Sequence, residues 1–145
     1  MNRKGITLLE LIVVMVIIAI GAVLIAPNIG AWLPSYRLRS ATRDIVSNMR
    51  VAQIKAVSNN LRYQISFDIA NNNYILQYLD TMGNPFPDGA RQTLPTGVQF
   101  NTTFGNIADF FQDSTSTNGN VVLNNTKGST KTIQLLGATG RIKSE

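Results

Sequence analysis

The period of apolar positions changes twice along this chain, and each regime predicts a different element. From residue 6 to residue 26 there is no period at all. Only Thr7, Glu10 and Gly21 interrupt 21 positions of large aliphatics and alanine. A helix that is apolar on every side suits lipid or a bundle core, and about 20 such residues at ~1.5 Å each span a bilayer's hydrocarbon. The pattern predicts a transmembrane helix over residues 6–27, closed by Pro27. Residues 28–34 carry Gly30, Trp32 and Pro34 and read as an interfacial stretch. Its indole suits either the headgroup region or helix packing. Pro27, with its missing N–H, is expected to kink or loosen the helix there.

From residue 35 to about 59 a helical period takes over. Leu38, Ala41, Ile45, Met49, Ala52 and Ala56 recur at spacings of three and four, one stripe suited to packing on a sheet. Arg39, Arg43 and Arg50 fall on a different face, either as a basic stripe for a partner or as a solvated surface. After Asn59-Asn60 the period becomes two. Tyr63, Ile65 and Phe67 alternate with polar residues as a half-buried strand. Residues 70–73 read as a turn, and 74–80 as the returning strand of a hairpin. Residues 82–89, with Gly83, Pro85, Pro87 and Gly89, read as a loop. Short strands are expected near 98–100, 120–123 and 132–136. Residues 101–118 read as a long loop with a short turn at Asp109-Phe110-Phe111. The fold class is α+β: a long N-terminal helix, its first half transmembrane and its second half packed on an antiparallel β-sheet. The division is 1–5 as a leader, 6–27 transmembrane, 28–60 interfacial segment and amphipathic helix, and 61–145 a β-rich part forming one domain with that helix.

Composition removes most chemistry. The 145 residues include no cysteine and no histidine, which excludes disulfides, thiolate and imidazole zinc sites, and histidine-based catalysis. Asp109 and Asp113, four apart, and Asp80 and Asp88, around the Gly/Pro loop, fall short of the six or more oxygens a hard cation takes. No nucleophile or oxyanion device accompanies them, so neither enzyme activity, cofactor nor metal is expected. Net charge is +5, or +3 without Arg3 and Lys4. Those two cations ahead of the apolar run favour a cytoplasmic N-terminus and place the rest of the chain on the far side of the membrane.

One carboxylate inside the apolar run demands a reason. A charge at mid-bilayer depth costs roughly 2.5–3.5 kcal/mol on the mildest scale. Glu10 lies near the start of the run, where it can snorkel to the headgroups and where the helix dipole favours it. The run is too long for an ordinary secretory signal, and the small-residue processing point, Gly5–Ile6, precedes it. Gly5-Ile6-Thr7-Leu8-Leu9-Glu10-Leu11, the apolar run and Pro27 together resemble the class III leader of type IV pilins and type II secretion pseudopilins. That resemblance implies cleavage by a prepilin peptidase between Gly5 and Ile6, methylation of the new amine, and a glutamate five residues into the mature chain. The family's usual first mature residue is phenylalanine; here it is Ile6. It further implies that Glu10 pairs with the terminal amine of an adjacent subunit and that Pro27 belongs to the assembly helix. The long helix, the hairpin, the variable middle, Leu38-Arg39-Ser40-Ala41, Ala52-Gln53 and a terminal strand at Gly140-Arg141-Ile142 resemble the GspH/FimT group of minor pseudopilins and minor pilins.

The resemblance carries expectations about function. The chain is expected to be a structural subunit of a type II secretion pseudopilus or a type IV pilus, assembled by helix bundling. It would sit in the bacterial inner membrane with its globular part periplasmic. Its partners would be other pilins or pseudopilins, the prepilin peptidase and inner-membrane lipid. An alternative comes from FimT-like pilins that bind DNA through a basic tail carrying Gly-Arg-x-Arg. Here Arg141 and Lys143 occupy the basic positions, with Lys127 and Lys131 upstream, and the ammonium of Lys143 lacks the fork of a guanidinium. Such cations equally protect an edge strand from self-pairing.

Overall fold

The computed structural model describes residues 7–103 and 105–145. It divides into two compact units, Met1–Leu33 and Pro34–Glu145. Helix α1 covers Leu8–Asn59, 52 residues. The helix therefore includes the stretch 28–34 expected to be interfacial, and both Pro27 and Pro34. A proline removes one internal hydrogen bond, whereas restarting a helix fixes several residues for its first bond. Continuation is the cheaper course.

In the first unit, α1 is uncovered. Every described large apolar side chain from Leu8 to Val23 is 48–77% exposed. Among the described residues no helix is long and apolar enough to cross a membrane. The described side chains of this run end at Val23, and those of residues 24–29 and 31 lie outside the description.

The second unit is a helix on two antiparallel sheets. Strands β1 (Tyr63–Asp68), β2 (Asn73–Leu79), β3 (Pro85–Pro87), β4 (Gln92–Thr93) and β6 (Ile107–Phe110) make the first sheet, in the order β3-β2-β1-β6 with β4 also on β2. Strands β5 (Val98–Thr103), β7 (Gly119–Asn125), β8 (Thr130–Leu136) and β9 (Arg141–Ser144) make the second, in the order β5-β7-β8-β9. The expected single sheet is thus two. They share one core. Leu38, Ala41, Ile45, Met49, Ala52 and Ala56 of α1 are all buried against Tyr63, Ile65 and Phe67 of β1, Ala108 and Phe110 of β6, and Val121, Leu123, Ile133 and Leu135 of β7 and β8. The edge of the Phe67 ring meets Phe100 across the sheets, centroids 5.5 Å apart. The Phe100 N–H donates to Asn72 Oδ1 at 3.1 Å.

Two elements depart from the sequence expectation. Residues 82–89 are not all loop, because Pro85–Pro87 pairs with β2. A proline is tolerated on an edge strand, where its missing N–H breaks no ladder, and Phe86 between the two stacks on Tyr78 at 5.6 Å. Residues 101–118 are not one loop either. Val98–Thr103 extends into it, and Ile107–Phe110 pairs with β1, Tyr63 opposite Phe110. The supposed turn at Asp109-Phe110-Phe111 therefore begins within a strand. Its alternation was hidden because one inward position is only an alanine, Ala108, and the polar Asp109 between the inward pair is itself buried.

The stripe is the stability determinant. Ile45→Ala should destabilise the second unit by about 2–5 kcal/mol, the usual cost of such a cavity. Ile54→Ala, at a position 66% exposed, should change it by no more than about 0.5 kcal/mol. Thermal unfolding of the full chain in neutral detergent compares the two.

Candidate functional site

The start of α1 is built by Thr7. Its Oγ1 accepts the Glu10 N–H at 3.3 Å, and its carbonyl accepts the N–H groups of Glu10 at 3.1 Å and Leu11 at 3.2 Å. Thr7-Leu8-Leu9-Glu10 has the spacing of a capping box, with Glu10 in the first turn, where the helix dipole favours a carboxylate. Glu10 is exposed and makes no ion pair with another described residue. A charge is thus presented at the first turn of a helix whose apolar surface is open on all sides. In the sequence Thr7 is a polar interruption of the apolar run, and only the Thr-x-x-Glu spacing signals its capping role. The processing residues Gly5 and Ile6 lie outside the described residues. Pro27 lies within α1, and its side chain is outside the description.

The far end of the chain is organised by a second device. Gln53 Nε2 donates to the carbonyl oxygens of Ser114 at 3.1 Å and Gly140 at 3.2 Å, so α1 clasps both the 111–116 segment and the turn into β9. Gly140 has φ +58°, and a Cβ there would run into the Ser114 carbonyl oxygen and Gln53 Nε2. Both the left-handed backbone and the lack of space require glycine. Its N–H closes the 3-10 turn Gly137–Thr139 by donating to the Gly137 carbonyl.

That turn determines where the tail cations go, and they do not converge. Arg141 stands opposite Leu136 and Lys143 opposite Gln134. Ile133 and Leu135, the alternate positions of β8, are buried, so Arg141 and Lys143 share the outer face of the sheet. Lys131 has the parity of Ile133 and points to the helix side. Lys127 sits in the turn between β7 and β8, its N–H on Asn125 Oδ1. The four cations singled out from the sequence are split among two faces and a turn. The structure instead brings Lys131 beside Arg39 and Arg43 of α1. With Thr42 and Ser144 they line a cleft of about 280 Å³. Arg50, the third member of the helix stripe, is exposed and does not line it.

The aspartates are structural. Asp109 is buried and accepts from Arg62 Nη2 at 2.9 Å and Nε at 3.0 Å, and the Arg62 guanidinium lies 5.3 Å from the centre of the Phe111 ring. Asp88 pairs with Lys55 at 2.8 Å, and that hydrogen bond raises the lysine pKa above its ordinary value. Asp80 accepts from the Asn84 side chain and from the N–H groups of Asn84 and Met82, which hold its carboxyl below the ordinary value. Asp113 does the same with Thr115. These are turn caps and ion pairs. Among the described residues no three acidic side chains gather as a metal would require.

The family model of the prokaryotic N-terminal methylation motif matches residues 1–26. The fold is similar to the minor pseudopilin EpsH of the type 2 secretion system of Vibrio cholerae. One structure of EpsH has a TM-score of 0.65 at 8% identity, covering 75% of this chain and 96% of that one. The chain carries the methylation motif and has a fold similar to that of a minor pseudopilin. A second EpsH structure agrees, with a TM-score of 0.64 over 78% of this chain. The type IV minor pilin FimU of Pseudomonas aeruginosa gives 0.62 at 16% identity, over 77% of this chain and 90% of FimU. These are minor pseudopilin and minor pilin structures. No curated protein is significantly similar by sequence.

Gly140 offers a test of the clasp. Gly140→Ala should cost about 2–4 kcal/mol, combining a left-handed non-glycine with overpacking. Amide hydrogen exchange should speed up first in β9 and in residues 111–116. Unchanged protection there would mean the turn relaxes freely.

Proposed function

We infer that this chain is a minor pseudopilin or pilin subunit, a structural element of an inner-membrane filament with no chemistry of its own. The observation that carries the reading is the first unit: a helix apolar on every side, its described apolar side chains exposed, with one carboxylate in its first turn within the methylation motif. Exposed apolar surface on this scale marks a site of lipid or protein contact. In the precursor, residues 6–27 anchor the chain in the inner membrane with Arg3 and Lys4 on the cytoplasmic side. The prepilin peptidase cuts between Gly5 and Ile6, and the new amine is methylated. In the filament, other pilin helices replace lipid around the run.

Glu10 sets register during that exchange. Its carboxylate pairs with the Ile6 amine of a neighbouring subunit, neutralising two charges in apolar surroundings. Buried pairs contribute little net stability but are well suited to fixing register. The globular unit supplies the exposed surface by which one subunit differs from another.

Processing is read directly by intact mass. Protein from the native membrane should begin with an N-methylated Ile6, and Gly5→Glu should accumulate the uncut precursor. A mature N-terminus elsewhere would remove the filament reading. Glu10→Gln isolates the charge, because the Thr7 cap binds the main-chain N–H of Glu10 and survives the change. The variant should insert normally and lose most co-purification with other pilins. Wild-type co-purification would leave Glu10 a headgroup-facing residue only.

A further inference from the structure

The cleft between α1 and the second sheet is not used by the filament contacts described above. Arg39 and Arg43 lie four apart on α1, so their side chains are neighbours on one face. Lys131 reaches the same cleft from β8, and Thr42 and Ser144 complete its walls. Like charges so close repel one another, and folded proteins ordinarily interleave acidic groups. Here none does so. Arg39, Arg43 and Lys131 form no ion pair with a described residue, while Lys55, Arg62 and Arg91 each have a carboxylate within 4 Å. Asp44, next to Arg43 in sequence, lines the separate cleft with Asn48 and Tyr74. Glu145 stands opposite Thr132 and exchanges main-chain hydrogen bonds with it, so its side chain goes to the outer face with Lys143.

We propose that this cleft is a binding site for a phosphate-type oxyanion, with Arg39 and Arg43 as guanidinium donors and Lys131 as the third charge. Guanidinium forks match the paired oxygens of phosphate and bind it with charge-assisted hydrogen bonds. The volume, about 280 Å³, admits one phosphate with a small substituent. Such a group comes from a free phosphate or from the headgroup of an anionic lipid. A nucleic-acid duplex fits less well. Its phosphates form an extended track, and each contact needs its own cation. Here three cations line one small cleft, and Arg141 and Lys143 stand on the opposite face of the sheet. The site depends on the second unit alone and does not require filament assembly.

The test uses the full chain in maltoside micelles, with amide NMR as the readout at about 150 mM sodium chloride, where the screening length is ~8 Å. Inorganic phosphate should give saturable shifts at Arg39, Thr42, Arg43, Lys131 and Ser144. Phosphatidylglycerol doped into the micelles should shift the same amides if a headgroup is the source, with phosphatidylcholine inert. Saturation by inorganic phosphate with no added effect of phosphatidylglycerol assigns the free anion. Arg43→Gln combined with Lys131→Gln should weaken binding at least tenfold while leaving the remaining spectrum intact, since neither side chain belongs to the core. Absence of saturation with both probes, or retained binding in the double variant, would overturn the proposal. So would a short DNA duplex that shifts these amides at lower concentration than either probe.

Discussion

One stripe of small and medium side chains holds the second unit together. Leu38, Ala41, Ile45, Met49, Ala52 and Ala56 are the buried apolar positions that α1 places in the core it shares with the two sheets. Three of the six are alanines, and Ala108 of β6 is buried in the same core. A packed core of that kind tolerates neither a cavity nor an added methylene cheaply. The Gln53 clasp, the Arg62–Asp109 pair and the glycine turn into β9 all act on segments that this packing has already brought near.

The same helix makes the opposite choice in its first unit. There the apolar positions have no period, and the described ones, Leu8 to Val23, are all exposed. A stripe encodes a partner within the chain; an unbroken apolar surface encodes partners outside it. That difference links fold to function, and it makes Glu10 informative. In a surface with no other charge, the carboxylate is favoured by the helix N-terminus and by whatever polar group finally faces it.

Much of this was legible in the residues, because periodicity survives translation into structure where side chains are large. All six stripe positions are buried as their spacing predicts, and the strands around Tyr63–Phe67, 74–79, 120–123 and 132–136 fall where alternation puts them. Legibility failed where the signal was short or contradictory. Pro85-Phe86-Pro87 carries two residues that argue against a strand, and only its edge position permits one. Ile107–Phe110 hides its inward face behind an alanine and a buried ion pair. For the basic tail the reason is different. Arg141, Lys143, Lys131 and Lys127 are close in sequence, but strand parity and a turn separate them in space, while Arg39 and Arg43 arrive beside Lys131 from 90 residues away. Linear proximity of charges says little about a site until register is known.

The central claim is that the first unit of α1 ends up against other pilin subunits and not merely in lipid. A photoreactive residue in place of Met15, 61% exposed within the chain, tests it most directly. Irradiated in native membranes with the partner pilins present, it should yield covalent adducts with another pilin-like protein, and Glu10→Gln should abolish them. Adducts to lipid alone, unchanged by Glu10→Gln, would contradict the account and leave the helix a simple membrane anchor.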